Sequence, residues 1–417
     1  MNKKEYKIHI IGAGISGLIA ARVLEDSGFN PVVIEATDRA GGRVKTDILN
    51  GFQLDHGFQV LLTSYPAAQK YLDFEALDLQ LFLPGASIFK GKKQKIIGDP
   101  LRDLSLLFPT LLSGIGSLSD KLRILKLNNY LKKKSLSAIF SDPEQSTFSY
   151  LKAYGFSTKI ISEFFKPFFS GIFLETQLET SSRMFEFIYK MFGEGDASIP
   201  KAGIEAIPMQ LLQNLKHTTF EYTSKVASIK DGEVVLENGT KLESHFTIVA
   251  TEASSLISNL RNQATQWKSC DNLYFETDKR VIQDKLIGLI AAEGTLINNI
   301  FYPTSLQTAS ESSKELLSVT VIDNQNLSKE MLIEEVKKEL SEHCGIDSCQ
   351  FIKQYTIPMA LPQLENLKYE MLASETRLTT SVFLAGDTQL NGSLNAAMIS
   401  GERAALGVVE AISTMGA

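Results

Sequence analysis

The chain has 417 residues, 44% of them hydrophobic and 22% charged, which excludes wholesale disorder, a collagen-like fibre and a polytopic membrane protein and suggests two or three folded units. A net charge of −6, from 42 basic and 48 acidic residues, opposes an overall fit to nucleic acid. Three cysteines, Cys270, Cys344 and Cys349, form neither a CxxC pair nor a zinc-ligand spacing, so a reducing, cytoplasmic setting is expected, with no metal site.

Residues 1–5 are charged, and the apolar run 6–11 breaks at Gly12, which is too short for a secretory signal. No run of 18 uncharged apolar residues occurs, so no bilayer-spanning helix is expected. Residues 6–11 read as a strand, followed by a glycine turn and a helix over about 15–27. Leu18, Ala21, Val23 and Leu24 form its buried stripe, and Gly28 stands at its C-terminal cap. Residues 31–34 are a second strand ending on Glu35.

Residues from about 99 to 192 are rich in Leu and Phe with mostly helical periodicity. Within them 104–118 is apolar and 121–134 carries six basic residues and no acidic one. A segment dipping into anionic lipid has this pattern, and so does a solvated helix over a leucine core; Pro109, Gly114 and Gly116 interrupt it. Eight phenylalanines fall between Phe164 and Phe192, a third of the total of 24, and read as core, as the wall of a hydrophobic cavity, or as both.

Asn238-Gly239 closes a hairpin between 233–236 and a strand over 241–250. Strands are expected over 316–322 and 351–357, flanking a helix over 328–343 with Ser328 as its N-cap. Residues 381–385 form a last strand running into Gly386-Asp387, before a helix over about 395–413. This order predicts an α/β dinucleotide-type unit assembled from 1–65, 197–260 and 375–417. A second, α+β unit of mixed sheet and helices is inserted as 66–196 and 261–374.

Gly12-Ala-Gly14-Ile15-Ser16-Gly17 is GxGxxG placed directly after a strand and opening a helix. Gly12 permits the tight turn, Gly14 lets backbone amides approach a pyrophosphate, and Gly17 lets helix and strand pack closely. The helix start at Ile15 and Ser16 adds unpaired N–H groups and a positive dipole end. Glu35, 18 residues beyond Gly17, is placed to accept hydrogen bonds from both ribose hydroxyls of an adenosine. A bare GxGxxG is a weak signal; the strand, helix, second strand and terminal carboxylate give it context.

The stretch from Glu35 and Ala36 through Arg39, Gly41, Gly42 and Arg43 resembles the extended fingerprint of the flavin-containing amine oxidase, protoporphyrinogen oxidase and phytoene desaturase superfamily. The resemblance implies a Rossmann-like FAD-binding domain of the glutathione-reductase type and non-covalent FAD. Gly41-Gly42 and Arg43 would wrap the pyrophosphate and ribityl chain, as a close backbone and a guanidinium fork can. The run from Phe383 to Gly401 is similar to the family's C-terminal flavin motif. There Gly386 and Asp387 would meet the ribityl chain, and the amides at Ser393 and Leu394, at a helix start, would face the N1/C2 side of the isoalloxazine. By the same resemblance the backbone at Val226 clasps the adenine. The loop 54–59 passes the ring through Gly57 and Phe58, with His56 as a catalytic base, a flavin hydrogen-bond donor or a structural histidine. Tyr302 and Tyr355 are further catalytic candidates.

Two departures narrow the implied chemistry. Leu390 and Leu394 stand where amine oxidases of the family often place an aromatic pair, and no cysteine lies near the C-terminal motif to attach the flavin. There is no second GxGxxG for a nicotinamide cofactor. The expectation is therefore an FAD-dependent oxidoreductase removing hydride or hydrogen from a bulky hydrophobic small molecule. Oxygen, a quinone or another acceptor would take the electrons. The alternatives are an amine oxidase releasing peroxide, a redox-neutral sugar-nucleotide isomerase, which the apolar composition opposes, and a non-enzymatic binding or escort protein, which the intact glycines, Glu35, Arg43 and Asp387 oppose.

Overall fold

The computed structural model describes residues 2–260, 263–310 and 312–415. A five-stranded parallel sheet runs in the order Thr219–Glu221, Val32–Ile34, Ile8–Ile11, Phe246–Val249, Val382–Leu384. Its strands are nearly all apolar because both faces are covered. Ile8, Ile10, Val33 and Ile248 point to the helices Ile15–Asp26 and Leu394–Met415. Ile11, Ile34 and Val249 point the other way, into a layer built by the antiparallel strands Val226–Lys230, Glu233–Leu236 and Lys241–Glu243. The expected stripe of Leu18, Ala21, Val23 and Leu24 is buried, and Gly28 follows the helix with φ +89°. The two helices touch backbone to backbone: a Cβ on Gly401 would lie 2.2 Å from the Ser16 carbonyl oxygen.

The strand expected over 241–250 is two strands. Lys241–Glu243 completes the hairpin, and Phe246–Val249 enters the parallel sheet. Ser244 and His245 make the break. Ser244 Oγ donates to the Phe246 carbonyl (2.8 Å) and meets His9 Nδ1 (2.9 Å), while His245 Nδ1 accepts from the Lys7 amide (2.8 Å). Side chains bonding to nearby backbone compete with the strand ladder, and here they win.

A second sheet has seven strands, in the order Gln350–Gln363, Gln266–Thr277, Glu315–Val321, Ile297–Phe301, Ile287–Ile290, Gly85–Lys90, Lys93–Gly98. One face carries Leu273, Phe275, Leu317, Val319 and Ile300 against Leu332, Val336 and Leu340 of the helix Lys329–Glu339 and the turn after it. Ser328 caps that helix, accepting from the Met331 amide at 3.3 Å. The opposite face is turned toward a large cavity.

Helices close the far side of that cavity. The apolar-then-basic stretch is two helices, Leu107–Leu112 and Leu118–Lys133, separated where Gly114 (φ +66°) and Gly116 (φ +64°) turn the chain. The second begins with a capping box between Ser117 and Asp120. Its C-terminal end is fixed by Lys190, whose Nζ donates to the carbonyls of Leu131 (2.8 Å) and Lys132 (3.2 Å). Beside it Lys134 pairs with the buried Glu186 at 2.6 Å and with Asp142. Among the described residues no helix is long and apolar enough to cross a membrane.

Candidate functional site

One cavity of about 940 Å³ extends from Glu35, through both glycine turns and the 54–59 loop, to the helical wall. At the first turn the Gly12 amide donates to the Ile34 carbonyl (2.8 Å), and at the second the Gly41 amide donates to the Ala13 carbonyl (2.9 Å). The two turns lie against each other, since a Cβ on Gly42 would come within 3.2 Å of the Gly14 Cα. Glu35 is buried at the strand end and accepts from the Ala13 amide (2.8 Å), the Thr37 amide (2.9 Å) and the Thr37 hydroxyl (2.8 Å). A carboxylate has about four lone-pair sites, so acceptor capacity remains beside the cavity.

At the other end Arg43 Nη2 meets Asp387 Oδ1 at 2.6 Å, Nη1 donates to the Ala360 carbonyl (3.2 Å), and the guanidinium lies 5.1 Å from the Trp267 ring centre. Gly386 has φ +132°, and its amide donates to Ser400 Oγ (2.9 Å). Ser393 Oγ accepts from the Ala396 amide (3.0 Å), opening the C-terminal helix with its first amides beside the cavity.

The 54–59 loop is pressed against the seven-stranded sheet. Gly57 has φ +93°, and a Cβ there would lie 2.9 Å from Ile357. His56 stacks on Tyr355 with ring centres 4.3 Å apart, and both reach one oxygen of Asp47: His56 Nε2 at 2.9 Å and the Tyr355 hydroxyl at 2.8 Å. Arg39 binds the other oxygen at 2.8 Å and ties it to Glu205 at 2.9 Å. Burial alone would raise the Asp47 carboxyl, but hydrogen bonds from His56, Arg39 and Tyr355 outweigh it and hold it at about 2. Burial and the Asp47 carboxylate push the Tyr355 phenol up, so Tyr355 acts here as a donor.

Of the expected cofactor residues, Gly12, Gly14, Ile15, Ser16, Glu35, Gly41, Gly42, Arg43, Gly57, Phe58, Gly386, Asp387, Ser393 and Leu394 line this one cavity. Three stand outside its lining. Gly17 lies behind the turn, where a Cβ would sit 2.0 Å from the Gly12 carbonyl oxygen; Ala36 is on the surface; Val226 is enclosed beneath the parallel sheet. Of the three catalytic candidates only His56 lines the cavity. Tyr355 stands behind it. Tyr302 is buried on the helix-covered side of the second sheet, its phenol pushed up to about 12 by burial, too far inside to meet a ligand.

Sequence reasoning passed over Asp55. Its carboxyl accepts from Thr46 Oγ1 (2.6 Å) and the Ile204 amide (3.1 Å), and it faces a second, small cavity of about 20 Å³. Burial raises it to about 6 despite those bonds. Placed at the end of an apolar strand, it carries no sequence signal beyond its neighbour His56. Also unforeseen on the main cavity wall are Cys270, Asn299 and Thr320. The phenylalanines divide: Phe164, Phe168, Phe169 and Phe192 line the cavity, while Phe165, Phe173, Phe185 and Phe187 are core.

Two abutting glycine turns, a carboxylate with acceptor capacity left beside the cavity and a second helix start, joined in one continuous cavity, fit FAD. They define a class: a flavoprotein of the glycine-turn type with an added seven-stranded sheet. The chain belongs to the flavin-containing amine oxidoreductase family, whose model matches residues 15–409. Members of this family bind FAD, mostly without a covalent link. The chain is 28% identical over 170 residues to protoporphyrinogen oxidase 2 (chloroplastic/mitochondrial) of Arabidopsis thaliana, a match covering 40% of this chain and 32% of that relative. The matched stretch is thus about a third of the relative's length. Among solved structures, an oxidoreductase from Methanosarcina mazei superposes with a TM-score of 0.73 at 16% identity, over 99% of this chain and 100% of that one. Cyclohexylamine oxidase from Brevibacterium oxydans IH-35A superposes with a TM-score of 0.69 at 14% identity, over 98% and 99%. At these identities the likeness is one of fold.

Proposed function

We propose that this protein is an FAD-dependent oxidoreductase that takes hydride or hydrogen from a bulky hydrophobic substrate and passes the electrons to oxygen, a quinone or another diffusible acceptor. The observation that carries the reading is one cavity whose one end is backbone amides and whose other end is rich in leucine and phenylalanine. Bound FAD supplies the two-electron acceptor; positioning and water exclusion come from the chain.

In this reading Glu35 takes the adenosine ribose, with Ala36 and Val226 supporting that end from outside the lining. The amides of Gly12 to Ser16, together with Gly41, Gly42 and Arg43, take the pyrophosphate. Gly17 supports them through helix packing. Gly386 and Asp387 take the ribityl chain, and Ser393 and Leu394 present the helix start to the ring. Gly57 and Phe58 pass close to the ring's other side. His56, oriented by Asp47 and Tyr355, is the catalytic candidate. Nδ1 is its ring nitrogen not committed to Asp47, free to hold a proton at the cavity wall. The proposed division is into an FAD unit (1–65, 197–260, 375–417) and an inserted substrate unit (66–196, 261–374). In its support, the five-stranded sheet draws its strands from the first set and the seven-stranded sheet from the second, while Leu79–Leu81 pairs across the boundary with Ala197–Pro200.

The proposal extends to a peripheral contact with an anionic membrane through residues 104–134. Leu104, Phe108, Leu112 and Leu118 are 70–82% exposed, a concentration of bare apolar side chains uncommon on a water-facing surface. Lys126, Lys132 and Lys133 follow them along the helix Leu118–Lys133. Leu107, Leu111, Leu118, Leu122 and Leu125 of the same helices line the cavity, so the patch adjoins its wall.

The test is the visible absorption spectrum of the purified protein, repeated on the supernatant after denaturation, followed by anaerobic substrate screening for bleaching. A flavin band that appears in the supernatant and is bleached by an apolar compound supports the reading. Peroxide formation with amines alone replaces it with an amine oxidase. A colourless protein that also refuses added FAD replaces it with a binding protein.

A further inference from the structure

On its sheet side the cavity wall carries a buried polar row. Strand side chains alternate between faces. The cavity-side face of the seven-stranded sheet carries Asn272, Ser318, Thr320 and Asn299 side by side, all 5% exposed or less. Register places Asn272 opposite Thr320 and Thr320 opposite Asn299. Tyr274, Leu316 and Phe301 continue the same face as apolar surface. A buried polar row of this kind is costly unless its members are bonded, and apolar β-formers would fill the space more cheaply.

The hydrogen bonds run in one direction. Thr320 Oγ1 donates to Asn272 Oδ1 (3.2 Å), so its hydroxyl proton is committed and it accepts from Asn299 Nδ2 (3.2 Å). Asn298 Nδ2 donates to Asn299 Oδ1 (2.9 Å). Both contacts orient the Asn299 amide the same way. A primary amide nitrogen has two hydrogens, and only one of these is taken. Asn299 and Thr320 line the cavity, with Gly171 facing them from the helix Lys166–Phe173. A Cβ on Gly171 would come within 2.6 Å of Asn298 Nδ2 and 3.2 Å of Asn299 Oδ1, so glycine here lets the helix sit close to the row.

No ionised group belongs to the row. Burial pushes the adjoining Cys270 thiol up to about 12, and the cation of Lys268 is turned away to the Phe173 carbonyl (2.9 Å) and Thr180 Oγ1 (3.2 Å).

We propose that Asn299, held by Thr320 and Asn298, is a specificity-determining anchor that donates to one uncharged acceptor oxygen, a carbonyl or hydroxyl, on an otherwise apolar substrate. This rests on the hydrophobic-substrate reading and narrows it. A fixed donor at one depth sets which carbon reaches the reactive end of the cavity, something an apolar wall alone leaves loose.

The experiment titrates FAD-loaded protein with 2-decanone, decane and decanoate, reading the shift of the flavin band and Trp267 fluorescence. The expected result is that 2-decanone binds roughly three- to tenfold more tightly than decane, the worth of one neutral hydrogen bond, and more tightly than decanoate. Asn299→Leu removes that preference with FAD content unchanged. Ser318→Ala, which removes no bond made by Asn299, keeps it. Equal binding of 2-decanone and decane by the native protein overturns the anchor and leaves the hydrophobic-substrate reading standing. Tighter binding of decanoate overturns the uncharged acceptor. Binding of none of the three by flavin-loaded protein overturns the hydrophobic-substrate reading itself. Should Asn299→Leu fail to fold, the native preference and the Ser318→Ala result still decide.

Discussion

Replacing Asp55 by Asn tests the electrostatics around the 54–59 loop. Burial raises the Asp55 carboxyl from 3.8 to about 6, opposed by hydrogen bonds from Thr46 and the Ile204 amide and by the nearness of His56, and assisted by Glu205. A folded-state value above the unfolded one means that the folded protein holds this proton more tightly. The contribution is therefore fully present below pH 3.8 and lost as pH rises through about 6, an upper limit of about 3 kcal/mol. Asn keeps the oxygen that Thr46 and Ile204 bond and removes the buried charge. The variant should match the native protein near pH 4 and exceed it by about 2–3 kcal/mol at pH 8. Asp47 behaves oppositely, its stabilisation being lost as pH falls through about 2, so only the difference between native and variant isolates Asp55. Thermal unfolding of both proteins at pH 4.5, 6 and 8 gives that difference. A gap that stays constant across the three pH values would falsify the reasoning.

Three further outcomes are expected. Gly17→Ala forces a Cβ to within 2.0 Å of the Gly12 carbonyl oxygen and should displace the first turn, leaving less than about a tenth of the native flavin at 450 nm relative to 280 nm; normal retention sinks the cradle assignment. Lys134→Met strands the buried Glu186 carboxylate and should cost about 3–5 kcal/mol by denaturant unfolding, with much of that restored by adding Glu186→Gln; an unchanged midpoint means the pair is idle. The Leu104→Glu, Leu112→Glu double variant should stay in the supernatant when the native protein sediments with phosphatidylglycerol vesicles. Failure of the native protein to sediment rejects the membrane contact.

The parts readable from sequence are those set by backbone geometry. Gly12, Gly14, Gly41 and Gly42 announce positive φ or close approach whatever the rest of the chain does, and Glu35 follows at a distance fixed by one helix and one strand. What stayed hidden depends on non-local pairing. Asn299 and Thr320 are ordinary residues of ordinary strands until register sets them side by side 21 positions apart, and nothing local marks which sheet face meets the cavity. Tyr302 misled for the same reason: one residue past a strand, it went to the helix-covered face. The break at Ser244 and His245 is silent in the sequence because both residues are compatible with a strand. Their break is made by partners, Lys7 and His9, some 235 residues earlier.

The parallel sheet takes its central strand from residues 8–11 and its edge strand from 382–384, and the first helix is covered by the last. For a ribosome this is an inconvenient order. The glycine turn emerges first, yet the strand and helix that close its cradle are made hundreds of residues later, so the apolar side of Ile15–Asp26 must wait uncovered through most of translation. Flavin capture is thereby tied to the making of Val382–Leu384 and Leu394–Met415, and a nascent fragment stopped before residue 380 would be a client for a chaperone rather than a half-loaded enzyme.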